Sequence, residues 1–433
     1  MQVKSMCSIL GLVALLGATG LYAQETAAPS VEGRLLQILR TRGVIDAAEF
    51  TELSSLEKQL RESAELEQQV SGRVEEMVAQ MQDAAPKTSW KSGKGFNYAT
   101  ADGKYSMTLG GRVQVRATHD GIENAADKLN FAAQRVRIWA EGSIFAPEWK
   151  YRVQFDLSGD RVTAGASTSS ASAAALREAY VEYASSPALN VRFGQFKTPY
   201  SRQWLTSSGA QEFVDRWVGN GQFTQNYQPG LMVHGAALGE KNDLIDYAAG
   251  VFNGNGINVQ QTSGGDDMMM VVGRVAVNPF GAVKYSESDF AGGDFKAALG
   301  INAWTMNNTT LMADDCSIGA DITVVGHGLY ATSEFHRRTF ADNSNDRVGF
   351  FAQAGYFVDP GVVDVGLRYA RFWVDGATSG LDDTTELLGV LGYYIEQHNV
   401  KLQLDAGSVS VRNIGGAGDT DEFRIRLQAQ IIF

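Results

Sequence analysis

Two periodicities divide the chain. From Trp90 onward apolar and polar residues alternate one by one, and the alternation runs through to Phe433. In Gln134–Glu141, Val136, Ile138 and Ala140 share a face opposite Arg135, Arg137 and Glu141. Tyr151–Leu157 sets its apolar residues against Arg152, Gln154 and Asp156, and Arg112–Arg116 and Val363–Arg368 read the same way. The segment RIRLQAQIIF places Ile425, Leu427, Ala429 and Ile431 against Arg424, Arg426, Gln428 and Gln430. A period of two is that of a β-strand whose faces meet different media. About sixteen such segments are separated by turn signals.

The connections alternate in length. Tight turns are expected near Ala146-Pro147-Glu148, Ser186-Pro187, Gly239–Asn242, His327-Gly328, Asp359-Pro360-Gly361 and Glu396-Gln397. Long polar loops are expected at His119–Lys128, Gly159–Ala173, Pro199–Gln228, Gly254–Asp267, Met306–Ser317, Phe340–Asp346, Asp375–Asp383 and Arg412–Asp421. Short turns on one side and long loops on the other predict an all-β, antiparallel transmembrane barrel of about 16 strands. No repeat of fixed length points to a propeller.

Before Trp90 the period is helical. Val31, Leu35, Leu36 and Leu39 form a short apolar stripe ended by Gly43, and Asp46 with Glu49 makes a capping pattern for a second helix. Along that helix Leu53, Leu56, Leu60, Val70, Val74, Met77 and Met81 fall at heptad spacing, interrupted by Ser63 and Glu67. This predicts a short coiled coil, or an amphipathic helix folded on its neighbour. Ala84-Ala85-Pro86-Lys87 reads as the linker that ends it.

Composition narrows the class. The 433 residues include 47 glycines and only 8 prolines, which suits a turn-rich antiparallel protein, and no segment has the length and apolarity of a spanning helix. Lys4, the apolar run Ile9–Leu16 and Gly20-Leu21-Tyr22-Ala23 read as an export signal. Cys7 leaves with that signal, and Cys316 is read as an incidental loop thiol with no partner for an intrachain disulfide. The chain therefore divides into residues 1–23 (signal), 24–88 (periplasmic helical region) and 89–433 (outer-membrane barrel). A net charge of −12 argues against a nucleic-acid partner. The acidic excess sits in expected loops, at Asp266-Asp267, Asp314-Asp315, Asp382-Asp383 and Asp419 with Asp421.

In a bilayer the apolar face must meet lipid, since a charge there costs about 2–4 kcal/mol near the midplane. The arginines then face the lumen. Closure pairs the last strand with the first, so Arg424 and Arg426 neighbour Arg112 and Arg116, followed by Arg135, Arg137 and Arg152. Arginine stays charged and its fork grips phosphate or carboxylate oxygens, so this wall is the candidate pathway for small anions. The alternative is that these arginines pair with Asp156, Glu141, Glu178 or Glu422 and stiffen the wall.

The stretch Val191–Ser201, reading VRFGQFKTPYS, followed by Thr206-Ser207-Ser208, resembles the phosphate-selective porin O and P family. Gly111–Gln114, Gln134–Arg137 with Trp149-Lys150-Tyr151, Glu178–Tyr183, Lys401–Gln403 and the closing strand extend the likeness from about residue 95 to the end. The resemblance implies a sixteen-stranded homotrimeric porin of a Gram-negative outer membrane, with the loop after GQFK narrowing the barrel. It also implies that lysines near the constriction attract phosphate. Here the loop holds Arg202 and Arg216 but no lysine, with Glu212 and Asp215 beside them and Lys197 adjoining. That departure separates the porin reading from phosphate specificity.

No paired-cysteine or H-E-x-x-H pattern marks a metal site, no cofactor motif occurs, and Ser207 and Ser208 have no nearby histidine, so an enzyme is not expected. The competing class is a structural outer-membrane anchor, with the coiled coil as an envelope tether and the barrel closed or non-selective.

Overall fold

The computed structural model describes residues 30–433 apart from 124–125, 159–174, 242, 260–268, 309–312, 341–345, 377–378 and 416–417. The export-signal reading lies outside the described residues. The chain forms two compact units, one up to Asp83 and one from Ala84.

The first unit is helical. Helix α1 (Val31–Thr41) starts at Ser30, whose hydroxyl accepts from Gly33 N at 2.8 Å. Helix α2 (Ala47–Ala84) opens with a reciprocal capping box: Glu49 N donates to Asp46 at 2.8 Å and Asp46 N to Glu49 at 2.9 Å. Ser30 also bonds the Glu57 side chain, and the Arg40 guanidinium lies 4.7 Å above the Phe50 ring, which folds α1 back along α2. No residue of either helix is buried within this chain, so the stripe from Leu53 to Met81 stays exposed.

The second unit begins with a hairpin, β1 (Lys87–Lys91) and β2 (Gly95–Ala99). Sixteen antiparallel strands then follow. They are β3 (Ser106–Ile122), β4 (Lys128–Ile144), β5 (Ala146–Asp156), β6 (Ala175–Ser186), β7 (Leu189–Lys197), β8 (Tyr227–Ala237), β9 (Ile245–Phe252) and β10 (Met270–Val277). The second half comprises β11 (Lys296–Asn308), β12 (Ala313–Gly326), β13 (Leu329–Thr339), β14 (Asp346–Asp359), β15 (Val363–Asp375), β16 (Leu381–Glu396), β17 (Val400–Asn413) and β18 (Thr420–Ile432). Each pairs with the next, and β18 pairs with β3 to close the barrel. Phe433 extends that seam, exchanging both backbone bonds with Gly111 at 2.7 and 2.9 Å. Its ring lies where a Cβ on Gly111 would sit, 2.6 Å away.

Alternation now has its physical meaning. The outward set, including Val115, Ile138, Phe193, Val271, Ile301, Leu367, Leu404 and Leu427, is exposed as an apolar band. Trp149, Tyr183, Tyr356 and Tyr393 lie exposed near the turn end, as an interfacial aromatic girdle requires. The inward set is polar and largely buried, Gln114, Arg368, Lys401 and Gln428 among it.

Two expectations are corrected. The stretch Met306–Ser317 is mostly strand, because pairing of β11 with β12 continues well past the length needed to span a bilayer, as far as Asn308 and Ala313. Cys316 consequently lies in β12 and not in a loop, its sulfur 2.8 Å from the Thr339 hydroxyl. Also, one connection at the turn end is not tight. Residues 278–295, between β10 and β11, form a long segment that the alternation does not announce.

Candidate functional site

Residues 198–226, between β7 and β8, fold into the lumen and carry two single-turn helices, α3 (Arg202–Leu205) and α4 (Asn220–Phe223). Their aromatic residues explain the inward course. Trp217 stacks on Phe223 at 5.7 Å and on Phe351 of β14 at 5.6 Å. The Tyr200 hydroxyl meets Ser317 at 2.7 Å and His336 at 3.0 Å, and Trp304 donates to the Phe223 carbonyl at 2.8 Å. The lumen side from β7 to β11 and at β14 and β15 is therefore a packed core with the loop, each aromatic pair contributing about 0.5–1.5 kcal/mol beyond its burial.

Glu212 occupies the same side of the loop. Its carboxylate lies against β14, where a Cβ on Gly355 would come within 1.4 Å of Oε1, so any larger residue there must displace the carboxylate. Burial first, then the Asp364 and Glu287 carboxylates, hold Glu212 well above the ordinary carboxylate range.

The other side of the loop faces the arginines. Asp215 accepts from Arg116 at 2.6 Å and Arg135 at 2.7 Å, with Arg426 at 3.8 Å. Burial opposes its charge, but Arg135, Arg116 and Arg426 outweigh that and hold the carboxyl well below its usual range. Arg426 also pairs with Asp405 at 2.7 Å. Arg137 pairs with Asp156 at 2.8 Å, Arg152 with Glu178 at 2.6 Å and with Glu141, and Arg424 with Asp120 at 3.1 Å and Glu422 at 2.5 Å. Register also staggers the wall: Arg116 lies opposite Gln428, Arg426 opposite Thr118 and Arg424 opposite Asp120. The two C-terminal arginines thus sit nearer the loop end than Arg112 and Arg116.

Among the described residues, four sequence-selected cations have no carboxylate within ion-pair distance, and three of them lie together. Arg112 donates to the Ser207 and Ser208 hydroxyls at 3.2 and 2.9 Å. The Lys197 ammonium bonds the carbonyls of Trp204, Leu205 and Thr206 at 2.7–3.2 Å. Arg216 bonds the carbonyls of Gln203, Trp204 and Thr206 at 2.7–3.2 Å. Burial, and then Arg135, lower the Arg216 guanidinium to about 10, which leaves it charged at neutral pH. Lys197 lies within electrostatic reach of Arg216, Arg137 and Arg112 and of one carboxylate, Glu178, so positive charge outnumbers negative around it. Arg202 is placed elsewhere: it bonds the carbonyls of Val283 and Lys284 at 3.0 and 2.8 Å and covers the Tyr285 ring.

Open space adjoins Lys197 and Arg216. A cavity of about 650 Å³ is lined by Arg137, Arg152, Arg192, Lys197, Ser207 and Ser208, with Tyr180 and Tyr227 on its walls. A second of about 260 Å³ shares Arg137, Ser208 and Tyr227 and adds Arg135, Arg177 and Arg216. Sequence reasoning missed Arg192, which pairs with Glu182 at 2.6 Å, and missed the organising role of Asp215. It set Ser207 and Ser208 aside because it considered them only as nucleophiles.

Comparison with known proteins bears on the family and the fold. The family model for phosphate-selective porin O and P matches residues 107–431. Porin O of Pseudomonas aeruginosa is 30% identical over 146 residues, covering 30% of this chain and 31% of that one. A protein of Aquifex aeolicus is 22% identical over 262 residues, covering 52% and 61%. Both matches span less than two thirds of the relative's length. Among solved structures, the outer membrane channel DcaP of Acinetobacter baumannii superposes with a TM-score of 0.53 at 16% identity, covering 76% of this chain and 97% of that one. An anion-selective porin from Comamonas acidovorans gives 0.53 at 14% identity, with 76% and 100% coverage.

Proposed function

This chain belongs to the phosphate-selective porin O and P family, a family of outer-membrane channels, and we propose that it conducts small anions by passive diffusion. The observation that carries this reading is the grouping of Arg112, Lys197 and Arg216 without counter-ions near the Ser207 and Ser208 hydroxyls, with Lys197 on the wall of the larger cavity, Arg216 on that of the smaller, and Arg112 bonded to both serines. Most of the other arginines are neutralised by carboxylates. In this reading they form the electrostatic background of the wall, and the three free cations form the selective point. An anion arriving there exchanges hydration for charge-assisted bonds, while a cation meets like charge.

In this reading inorganic phosphate uses the guanidinium N–H groups left over on Arg112 and Arg216, while Lys197, whose three N–H groups are spent on carbonyls, attracts it by charge alone; a monovalent halide uses fewer of the donors. Planar-bilayer recording tests both levels. Reversal potentials of anion sign are expected, and cation preference or absence of conductance would refute the proposal. Inhibition of chloride current by low phosphate would mark a phosphate site, and weak inhibition a general anion pore.

The exposed heptad stripe from Leu53 to Met81 supports a homotrimer joined by a periplasmic coiled coil, with the apolar band seated in outer-membrane lipid. Deleting residues 30–88 separates this from the tether reading. A conducting barrel with intact envelope is expected if the helices serve assembly.

A further inference from the structure

Residues 278–295 leave β10 at the turn end, where the other connections are short, yet several of their side chains are buried. Val283, Glu287, Ser288 and Asp289 are each less than a tenth exposed. The segment enters the lumen from the end opposite the loop 198–226, and the two meet. Glu287 N donates to the Ala210 carbonyl at 2.9 Å, and the Glu287 carboxylate accepts from Glu212 N at 2.8 Å. The same carboxylate accepts from Gln353 at 3.1 Å, and its backbone carbonyl from His398 at 2.6 Å. On one flank Ser288 reaches Asp364 at 2.8 Å. On the other Arg202 of the loop holds the carbonyls of Val283 and Lys284, and Tyr285 lines the same cavity as Lys197 and Arg137.

We infer that residues 278–295 are a second pore-narrowing element, and that Glu287 is the positioning residue through which this element holds the constriction loop. A carboxylate suits the task because one oxygen accepts from both the loop backbone and the β14 amide, while the other accepts from Gln203 of the loop at 3.4 Å. The loop segment Ala210–Glu212 is then fixed by a piece of chain that spans no membrane. The inference rests only on the barrel conducting, not on its preferring anions.

The test uses the full chain in planar bilayers. Replacing residues 281–292 by two glycines should raise single-channel conductance about twofold or more. Glu287→Ala should add rapid current flicker at unchanged heat-modifiability of the barrel, and Glu287→Gln, which keeps one acceptor oxygen, should recover part of the quiet trace. Unchanged conductance in the shortened variant, or flicker equal in Glu287→Ala and wild type, would overturn the inference.

Should the shortened variant not fold, Ala210→Cys with Glu287→Cys in a Cys316→Ser background decides. Their backbone bond puts the two positions within disulfide reach, so a bridge should form in the folded barrel. A folded barrel in which no bridge forms overturns the placement. A wild-type channel that does not conduct would instead sink the function proposed above, and the bridge would still decide the segment.

Discussion

The two faces of the constriction loop lie against opposite walls, built from the same alternating strands, and they hold the loop by unlike physics. Toward β11–β15 the wall offers aromatic rings and glycines, and the loop answers with Tyr200, Trp217, Phe223 and a buried Glu212. Toward β3, β4 and β18 the wall offers guanidiniums, and the loop answers with a charged Asp215. Glu212 and Asp215 are three residues apart, yet their surroundings move their protonation equilibria in opposite directions. The lesson is that a lumen's character is set by its counter-ions and its filling, not by how many arginines the strands carry.

The largest way to break the contrast is Lys197→Glu. A unit charge a few ångströms away is worth several kcal/mol at an effective dielectric near 20, so reversing one should lower the anion-to-cation permeability ratio by more than about tenfold. Reversal potentials in a salt gradient measure it, and an unchanged ratio would move selectivity away from the three unpaired cations.

Next comes Gly355→Ala on the packed side. Its Cβ would overlap the Glu212 carboxylate, and the strain should cost about 1–2 kcal/mol. A lower unfolding temperature and a noisier channel are expected, with ion preference little changed.

Asp215→Asn acts on the charged side and should sharpen the comparison. It leaves Arg116, Arg135 and Arg426 without their shared counter-ion, so anion preference should rise a few-fold while the loop loosens. A fall in anion preference would contradict the assignment.

The smallest effect is pH. Glu212 is raised, so its contribution to loop seating is fullest below its unfolded value of about 4.3 and declines as pH rises through its folded value. Asp215 is depressed, so its contribution is present above about 3.9 and is lost as pH falls through its folded value. Current noise should therefore reach a minimum between about pH 4 and 5, and a monotonic profile would refute the pairing.

The barrel was legible in the sequence because lipid and water impose a strict period of two, as in Gln134–Glu141 and Arg424–Phe433. Direction toward the lumen followed from the cost of placing arginine in lipid. What alternation could not carry was partnership. Arg137 and Arg112 look alike in the sequence, yet one meets Asp156 and the other only serine hydroxyls. Such differences arise from register and from a loop whose partners lie far along the chain. Residues 278–295 escaped because a segment that fills a lumen keeps no period. Asn278-Pro279-Phe280-Gly281 and Gly292-Gly293 at its ends were the available signal.

The loop's distant bonds tie it to the strands that close the barrel. Gln430 reaches the Gly209 carbonyl at 2.9 Å, across 221 residues, Val214 N reaches Asp405 at 3.2 Å, across 191, and Gln114 reaches the Ser208 carbonyl at 3.2 Å. Contacts of such high sequence separation form late, because the chain between them must first be ordered. The loop's full set of bonds needs β17, β18 and β3 side by side. The arrangement proposed to select anions is therefore complete only in a closed barrel, and an open sheet of the same strands lacks it.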